Sequence, residues 1–407
     1  MTRKNIFPIS FVNRQKHRKS IAEILAIVVM MFLSCTAKIE LYDTSLMGNW
    51  TIMQPFPGSE RAYTASFVLQ LDGREFGYVA CGHNGSGCLS EVFRYDPFFD
   101  SWTKQAEFEG DARTHAVGFA CNGKGYVGTG WDGIEKVMRD FWEFDPVDEY
   151  WKEVAPLPDE ADERHSAIAF SLFVNGKEYG FVGCGYTNKE NIVLVLKDFW
   201  RFDPDGVTPK NDGSGEDYKG AWERVVGYPG DPRWGGTAFV IDNKAYICLG
   251  FTNTTNNNLL EFDPNNGYEG GKLIGTWTEK RKMYNAEPNE KFDDEYDDLA
   301  RGYAASFTMP GGNDGRMKGY IATGLGKCSV WEYNPIEDLW VQRTRHFSNA
   351  KDGYEIKEGA TGFSFLNVHP KKDYFGRAFV CLGEYGAVPY NNNRAFFPNE
   401  KDNIHDD

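Results

Sequence analysis

The sequence predicts an all-β chain folded as a six-bladed propeller, and three recurrences predict it. Six tryptophans, Trp50, Trp102, Trp151, Trp222, Trp277 and Trp340, are spread along the chain at the same point of a repeat. Six aromatic turn segments recur beside them: Tyr95-Asp96-Pro97, Phe144-Asp145-Pro146, Phe202-Asp203-Pro204, Phe262-Asp263-Pro264, Tyr333-Asn334-Pro335 and Phe396-Phe397-Pro398. Six short apolar runs end in Gly82, Gly130, Gly185, Gly250, Gly324 and Gly383. A self-similar unit of roughly 50 residues holding several short strands is the signature of a propeller blade. Length alone, at 407 residues, would allow more than one domain, but stacked repeats share one continuous core.

The first 35 residues follow a different rule. Arg14, Lys16, Arg18 and Lys19 form a basic stretch, Ile21 to Leu33 is apolar apart from Glu23, and Ser34-Cys35 follows. The run is short for a bilayer span and has signal-peptide flanks. A small residue before cysteine resembles the lipobox of bacterial lipoproteins, with Phe32 where leucine is usual. That resemblance implies cleavage before Cys35, lipidation of Cys35 and an envelope location. Residues 36–47 would then be a tether, 48–400 the propeller and 401–407 a tail.

Charge narrows the partners. The whole chain carries −15; loss of residues 1–35 removes six Lys/Arg and one Asp/Glu, leaving 38 against 58 and a net −20. So acidic a chain is ill suited to nucleic acid or to an anionic membrane surface. The expected membrane contact is the lipid alone.

Within each blade the first strand follows an arginine: Arg61, Arg113, Arg164, Arg233 and Arg301, with blade six aligned from Gly359 to Phe365. The second strand ends at the recurring glycine, the third carries the aromatic turn segment and the fourth the tryptophan. Proline after the third strand ends ladder pairing, and the aspartate before it favours a turn. Two before the strand-ending glycine stand Ala80, Gly128, Gly183, Cys248, Ala322 and Cys381, all small, which predicts close approach of neighbouring chain. Cys81, Cys184, Cys248 and Cys381 therefore read as compact core residues and not as a disulfide framework. Cys88, Cys121 and Cys328 fall in different blades.

This pattern resembles the kelch repeat over residues 48 to about 400. It departs from the family in having one glycine, not two, at the end of each second strand, so the turns there are expected to differ. Ring closure is also legible: the last repeat lacks a tryptophan strand, while Trp50 lies in an orphan strand near the N-terminus. Pairing the two completes the sixth blade and leaves no open sheet edge.

In kelch propellers the usual ligand mouth is the face carrying the loops between strands two and three. By position, Arg61, Arg113, Arg164, Arg233 and Arg301 are candidate ligand-binding residues there, since guanidinium pairs bidentately with carboxylate. His83, Asn84, Trp131, Tyr186, Phe251, Glu384 and Tyr385, just after the strand-ending glycines, add aromatic and polar surface for a sugar or peptide. The arginines also read as structural. Glu60, Asp111, Glu163, Asp231 and Asp298 lie one to three residues upstream of them, as ion pairs at blade junctions would require.

Kelch propellers include copper oxidases, but no metal site or cofactor is expected here. Beyond the signal the histidines are His83, His115, His165, His346, His369 and His405. His115 and His165 sit at different positions of their repeats, and alternate strand residues face opposite ways, so convergence is not expected. The acidic segment 287–298 reads as a solvated charge run or a calcium-binding candidate. The insertion Asp205–Ala221 reads as an exposed flexible loop. The expected function is a lipid-anchored binding module for an anionic ligand, a glycan or a partner protein. The alternative is an enzyme of the sialate mutarotase type, with Glu384, Arg233 and Arg301 as candidate catalytic residues.

Overall fold

Six four-stranded antiparallel sheets, with three two-stranded ribbons, hold the strands of the described residues in the computed structural model. It describes residues 47–189, 192–281, 283, 299–311, 314–345, 356–366 and 377–401. The signal, Cys35 and most of the tether lie outside the described residues, as do segment 287–298, Asp298, His346, His369, His405 and the end of the tail.

Blade one comprises Ala65–Leu71, Arg74–Ala80, Val92–Asp96 and Ser101–Lys104; blade two comprises Val117–Cys121, Lys124–Gly128, Phe141–Asp145 and Tyr150–Val154. Blade three comprises Ile168–Val174, Lys177–Gly183, Phe199–Pro209 and Asp217–Val225; blade four, Thr237–Ile241, Lys244–Cys248, Leu259–Asp263 and Thr276–Glu279. Blade five comprises Ala305–Gly311, Arg316–Ala322, Ser329–Asn334 and Leu339–Arg345. Blade six takes Thr361–Phe365, Arg377–Cys381 and Asn393–Lys401 from the C-terminal end, and its outer strand is Met47–Ile52. In that pairing Trp50 lies opposite Phe396 and Asn49 opposite Phe397.

Each first strand touches the first strands of both neighbouring blades, and the contacts return from blade six to blade one. Along these inner strands buried and half-buried residues alternate, as in Ala65–Leu71 and Thr361–Phe365, because one side meets the core and the other the channel. The second strands are buried without alternation, as in Arg74–Ala80, since blades cover both faces.

The core is a stack of aromatic rings between blades. Phe67 lies opposite Tyr78 with centroids 5.2 Å apart, and Phe119 and Tyr126 repeat the pair at 5.1 Å. Small residues make room for it. A Cβ on Gly128 would sit 2.3 Å from the Phe141 ring, so the expected close approach at that column is observed. Four of the strand-four tryptophans then fasten their blades to the one before. Trp102 Nε1 donates to Gln54 O, Trp151 to Ala106 O, Trp222 to Ala155 O and Trp277 to Val226 O, at 2.8–3.3 Å. Each such bond contributes roughly 0.5–1.5 kcal/mol.

Two expectations need correction. Asp205–Ala221 is largely a β-hairpin continuing strands three and four, with Thr208 opposite Tyr218. It folds onto blade two, where Lys219 Nζ meets Glu143 at 2.8 Å. Blade six is in register from Lys357, two residues earlier than the sequence alignment placed it: Phe363 opposes Phe379 as Phe67 opposes Tyr78. Phe363 and Phe365 are two apart, and either satisfies the pattern.

Candidate functional site

The strand-ending glycines fix the geometry of the mouth. A Cβ on Gly130 would lie 2.9 Å from Thr114 O, and on Gly250 2.6 Å from Trp234 O. Backbone therefore closes directly over these positions, and the residue after each glycine bridges to the first residue after the arginine column: Ala62 with His83, Thr114 with Trp131, His165 with Tyr186, Trp234 with Phe251 and Glu358 with Glu384. Where the kelch repeat carries its other glycine, this chain holds Cys81, Thr129, Cys184, Leu249, Thr323 and Leu382 at positive φ (58–65°, 57° at Thr129). Side chains tolerate this left-handed turn at a cost of about 1–2 kcal/mol each.

The arginines hold this turn from inside. Arg61, Arg113, Arg164, Arg233 and Arg301 are fully buried. Their Nη1 atoms donate to the carbonyls of Cys81, Thr129, Cys184, Leu249 and Thr323, at 2.8–3.1 Å. Their other partners lie at the start of strand three: Glu91 for Arg61, Asp140 for Arg113 and Asp198 for Arg164, with Asn258 for Arg233 and Ser329 for Arg301. Lys357, bonded to Asn392 at 2.7 Å, fills the sixth place. Among the described upstream acids, Glu60, Asp111, Glu163 and Asp231, no carboxylate pairs with its arginine. Arg113 Nε uses the Asp111 carbonyl, while the Asp111 carboxylate pairs with Lys136. Burial places all five arginines behind the mouth, so they are structural and cannot meet a ligand there. Arg233 and Arg301 are excluded as catalytic groups for the same reason.

The residues two past the arginine column form the rim of the channel. Tyr63, His115, Ser166, Gly235, Tyr303 and Gly359 all have φ between 53° and 62°. Their backbones join in a closed ring: each N–H donates to the carbonyl of the equivalent residue in the preceding blade. The distances are 2.9 Å from Tyr63 to Gly359, 3.0 Å from His115 to Tyr63 and 2.9 Å from Ser166 to His115. They continue at 2.9 Å from Gly235 to Ser166, 2.8 Å from Tyr303 to Gly235 and 3.1 Å from Gly359 to Tyr303.

Side chains on this collar draw together over the channel. Tyr63 stacks on His115 at 4.0 Å, and Tyr303 meets Tyr63 edge-on at 5.0 Å. Trp234, Phe251, Tyr186, His165 and Trp131 extend the aromatic wall outward, with Trp234 4.8 Å from Phe251 and His165 4.6 Å from Tyr186. His115 and His165 approach within 5.8 Å. The expectation that they diverge fails because the left-handed residue at each collar position breaks strand alternation. A cavity of about 120 Å³ lies at the collar, above a chamber of about 310 Å³ lined by Thr64, Ser66, Thr237, Ser306 and Thr361.

Glu358 and Glu384 stand beside the aromatics, and the Tyr63 hydroxyl donates to Glu384 at 3.2 Å. Burial, then the Glu384 charge, raises the Glu358 carboxyl above its usual range. Burial pulls His115 down to about 3, with His165 and His83 adding to the effect, and pulls His165 down to about 4. Both imidazoles are therefore neutral at neutral pH.

Of the sequence candidates, Trp131, Tyr186, Phe251 and Glu384 come together at this mouth. His83 and Asn84 cap their own turn, accepting N–H bonds from Gly85 and Ser86. Tyr385 is exposed at the tip of a small ribbon formed by Glu384–Tyr385 and Val388–Pro389. Tyr63, Trp234, Tyr303 and Glu358 were not anticipated. Their signal is a pair of columns whose identity changes at every blade directly after the nearly constant arginine.

No family model matches the chain. A mouse protein, Kelch-like protein 35, is 29% identical over 129 residues, a match spanning 31% of this chain and 21% of that protein. Among solved structures, YjhT superimposes with a TM-score of 0.54 at 13% identity, over 84% of this chain and 96% of that one. The fold is that of a kelch-type propeller. The kelch fold extends to a copper-bound fungal alcohol oxidase of the AA5 family, with a TM-score of 0.50 at 15% identity over 83% of this chain and 62% of that one. Two tyrosines and two histidines do meet in this mouth, with three of their polar atoms engaged by neighbouring side chains. The Tyr63 hydroxyl turns to Glu384, Tyr303 to Ser166 at 3.0 Å, and His165 Nδ1 to Ser166 at 3.0 Å. Among the described residues no three His, Cys, Asp or Glu side chains converge as metal ligands.

Proposed function

We propose that this kelch propeller is a lipid-anchored binding module of the cell envelope whose mouth recognises a glycan. The observation that carries the reading is the aromatic wall of Tyr63, Tyr303, Trp234 and Phe251 set around a carboxylate pair at the channel entrance. Ring faces take the C–H face of a sugar, while carboxylates and hydroxyls accept and donate at its edge. With the arginines enclosed, nothing in the collar favours an anionic ligand. The Arg14–Cys35 pattern supports the anchor.

A glycan array probed with the purified protein tests the reading. Saturable capture that is lost in Trp234→Ala, with melting retained, is the expected result; silence across the array sinks it. Metabolic labelling with palmitate, present in the natural chain and absent in Cys35→Ala, tests the anchor.

One observation favours a second reading, a mutarotase-like enzyme. Glu358, raised by burial and by its neighbour, sits directly opposite Glu384. In such a pair the carboxylate takes the proton of an anomeric hydroxyl while the acid gives one to the ring oxygen; the C1–O5 bond opens, and reclosure reverses both transfers. Accelerated anomer exchange by NMR, abolished in Glu384→Gln, would favour the enzyme over the binder.

A further inference from the structure

The mouth holds two carboxylates directly opposite one another with no cation between them. Glu358 and Glu384 exchange both backbone hydrogen bonds, each at 2.9 Å, a pairing that places their side chains on the same face. Like charges so placed destabilise a sheet. Neither carboxylate has an ion-pair partner among the described residues; the contact on Glu384 is a neutral phenol, Tyr63. Among the described residues the groups that act on Glu358 include no cation: both histidines are neutral, and the arginines and Lys357 are buried inside the blades. The rest of the molecule reinforces the field, with a net charge of −15.

The second feature is the ring geometry beside the acids. Tyr63, Tyr303 and Trp234 form successive edge-to-face contacts at 5.0 and 5.8 Å, and Tyr63 and Tyr303 also line the collar cavity of about 120 Å³, next to the acids. Tyrosine and tryptophan faces attract ammonium groups, and a carboxylate forms charge-assisted hydrogen bonds with them. Aromatic faces alone would suit any sugar; the uncompensated acids select among sugars.

We propose that the glycan bound at this mouth carries a free amino group, its ammonium seated between Glu358 and Glu384 against Tyr63 and Tyr303. The proposal rests on the glycan reading above and narrows it to amino sugars. N-acetylation would remove the charge and add bulk where the carboxylates need a donor.

Calorimetric titration of the full chain near neutral pH tests it, using the glucosamine disaccharide with free amines, its N-acetylated counterpart and a neutral glucose disaccharide. The amine should bind about tenfold more tightly than the other two, and added salt should shrink that preference. Replacing Glu358→Gln together with Glu384→Gln keeps shape and backbone pairing. It should erase the preference, bringing the amine's affinity to that of the neutral disaccharide measured on the same variant, without lowering the melting temperature. Equal or tighter binding of the N-acetylated sugar overturns the amine proposal and leaves the glycan reading standing. Absence of saturable binding to all three sugars, or binding confined to a lysine peptide offered in parallel, overturns both.

Discussion

Tyr63 lies over Gly359: a Cβ on that glycine would stand 2.5 Å from the tyrosine ring. Gly359 is also at φ 62°, where a Cβ is penalised in its own right. Gly359→Ala should therefore lower stability by at least about 1–2 kcal/mol and push Tyr63 off His115. Urea denaturation measures the first effect. The second should appear as a changed near-ultraviolet circular dichroism spectrum, and an unchanged spectrum would show that the ring stack does not depend on this glycine.

This pair shows what was legible in the sequence. The fold was readable because its determinants repeat in identity: glycine where backbone closes on backbone, proline after strand three, and tryptophan clasping the preceding blade. Trp50 pairs with the last repeat because a strand without a partner leaves an edge open. The site was less readable because it lies where repeats differ. After the arginine column come two residues whose pairing differs from blade to blade, and the left-handed collar conformation changes which way they face. The arginines misled through their constancy, since a charge that recurs at every blade serves the architecture all blades share. Tyr63 and Glu358 are three hundred residues apart in chain order, and only closure of the ring makes them neighbours.

The Arg113–Asp140 pair gives a stability prediction. Arg113 is fully buried and holds Asp140 through two bonds of 2.8 Å. Arg113→Met leaves a partly buried carboxylate and a Thr129 carbonyl without their donor, and should cost about 3–5 kcal/mol. Burial pushes the Asp140 carboxyl up, but the hydrogen bonds and charge of Arg113 outweigh it and hold the group below its usual range. Its stabilising contribution is thus present above about pH 4, the unfolded value, and is lost as pH falls through the lower folded value. The variant should lose less stability than the natural protein over that acid range. Parallel acid-dependent slopes in urea titrations would refute the assignment.

Closure gives a third prediction. Trp50 is buried and packs against Phe396 with centroids 4.8 Å apart. Trp50→Ala should cost about 3–5 kcal/mol. Removing residues through Ile52 should expose the edge of Asn393–Lys401 and promote self-association. Light scattering and melting together distinguish the two changes. A truncated chain that stays monomeric with an unaltered, cooperative melt would mean the sixth blade is sealed by something else.

His115 provides a pH test of the collar itself. Burial holds its folded pKa at about 3, while an unfolded histidine takes its proton near about 6.5. The folded state thus binds fewer protons than the unfolded one throughout that interval, so this group's contribution is full above about pH 6.5 and declines as pH falls. The groups around it are Tyr63, Tyr303, His165 and His83; none of them supplies a negative charge to hold the imidazolium, and His165 and His83 oppose its charge. His115→Gln keeps a polar side chain of similar length without a titrating ring. Its melting temperature should fall less between pH 7 and about pH 4 than that of the natural protein. Identical falls in the two proteins would mean that His115 accepts its proton freely, and that the stack with Tyr63 is open to water.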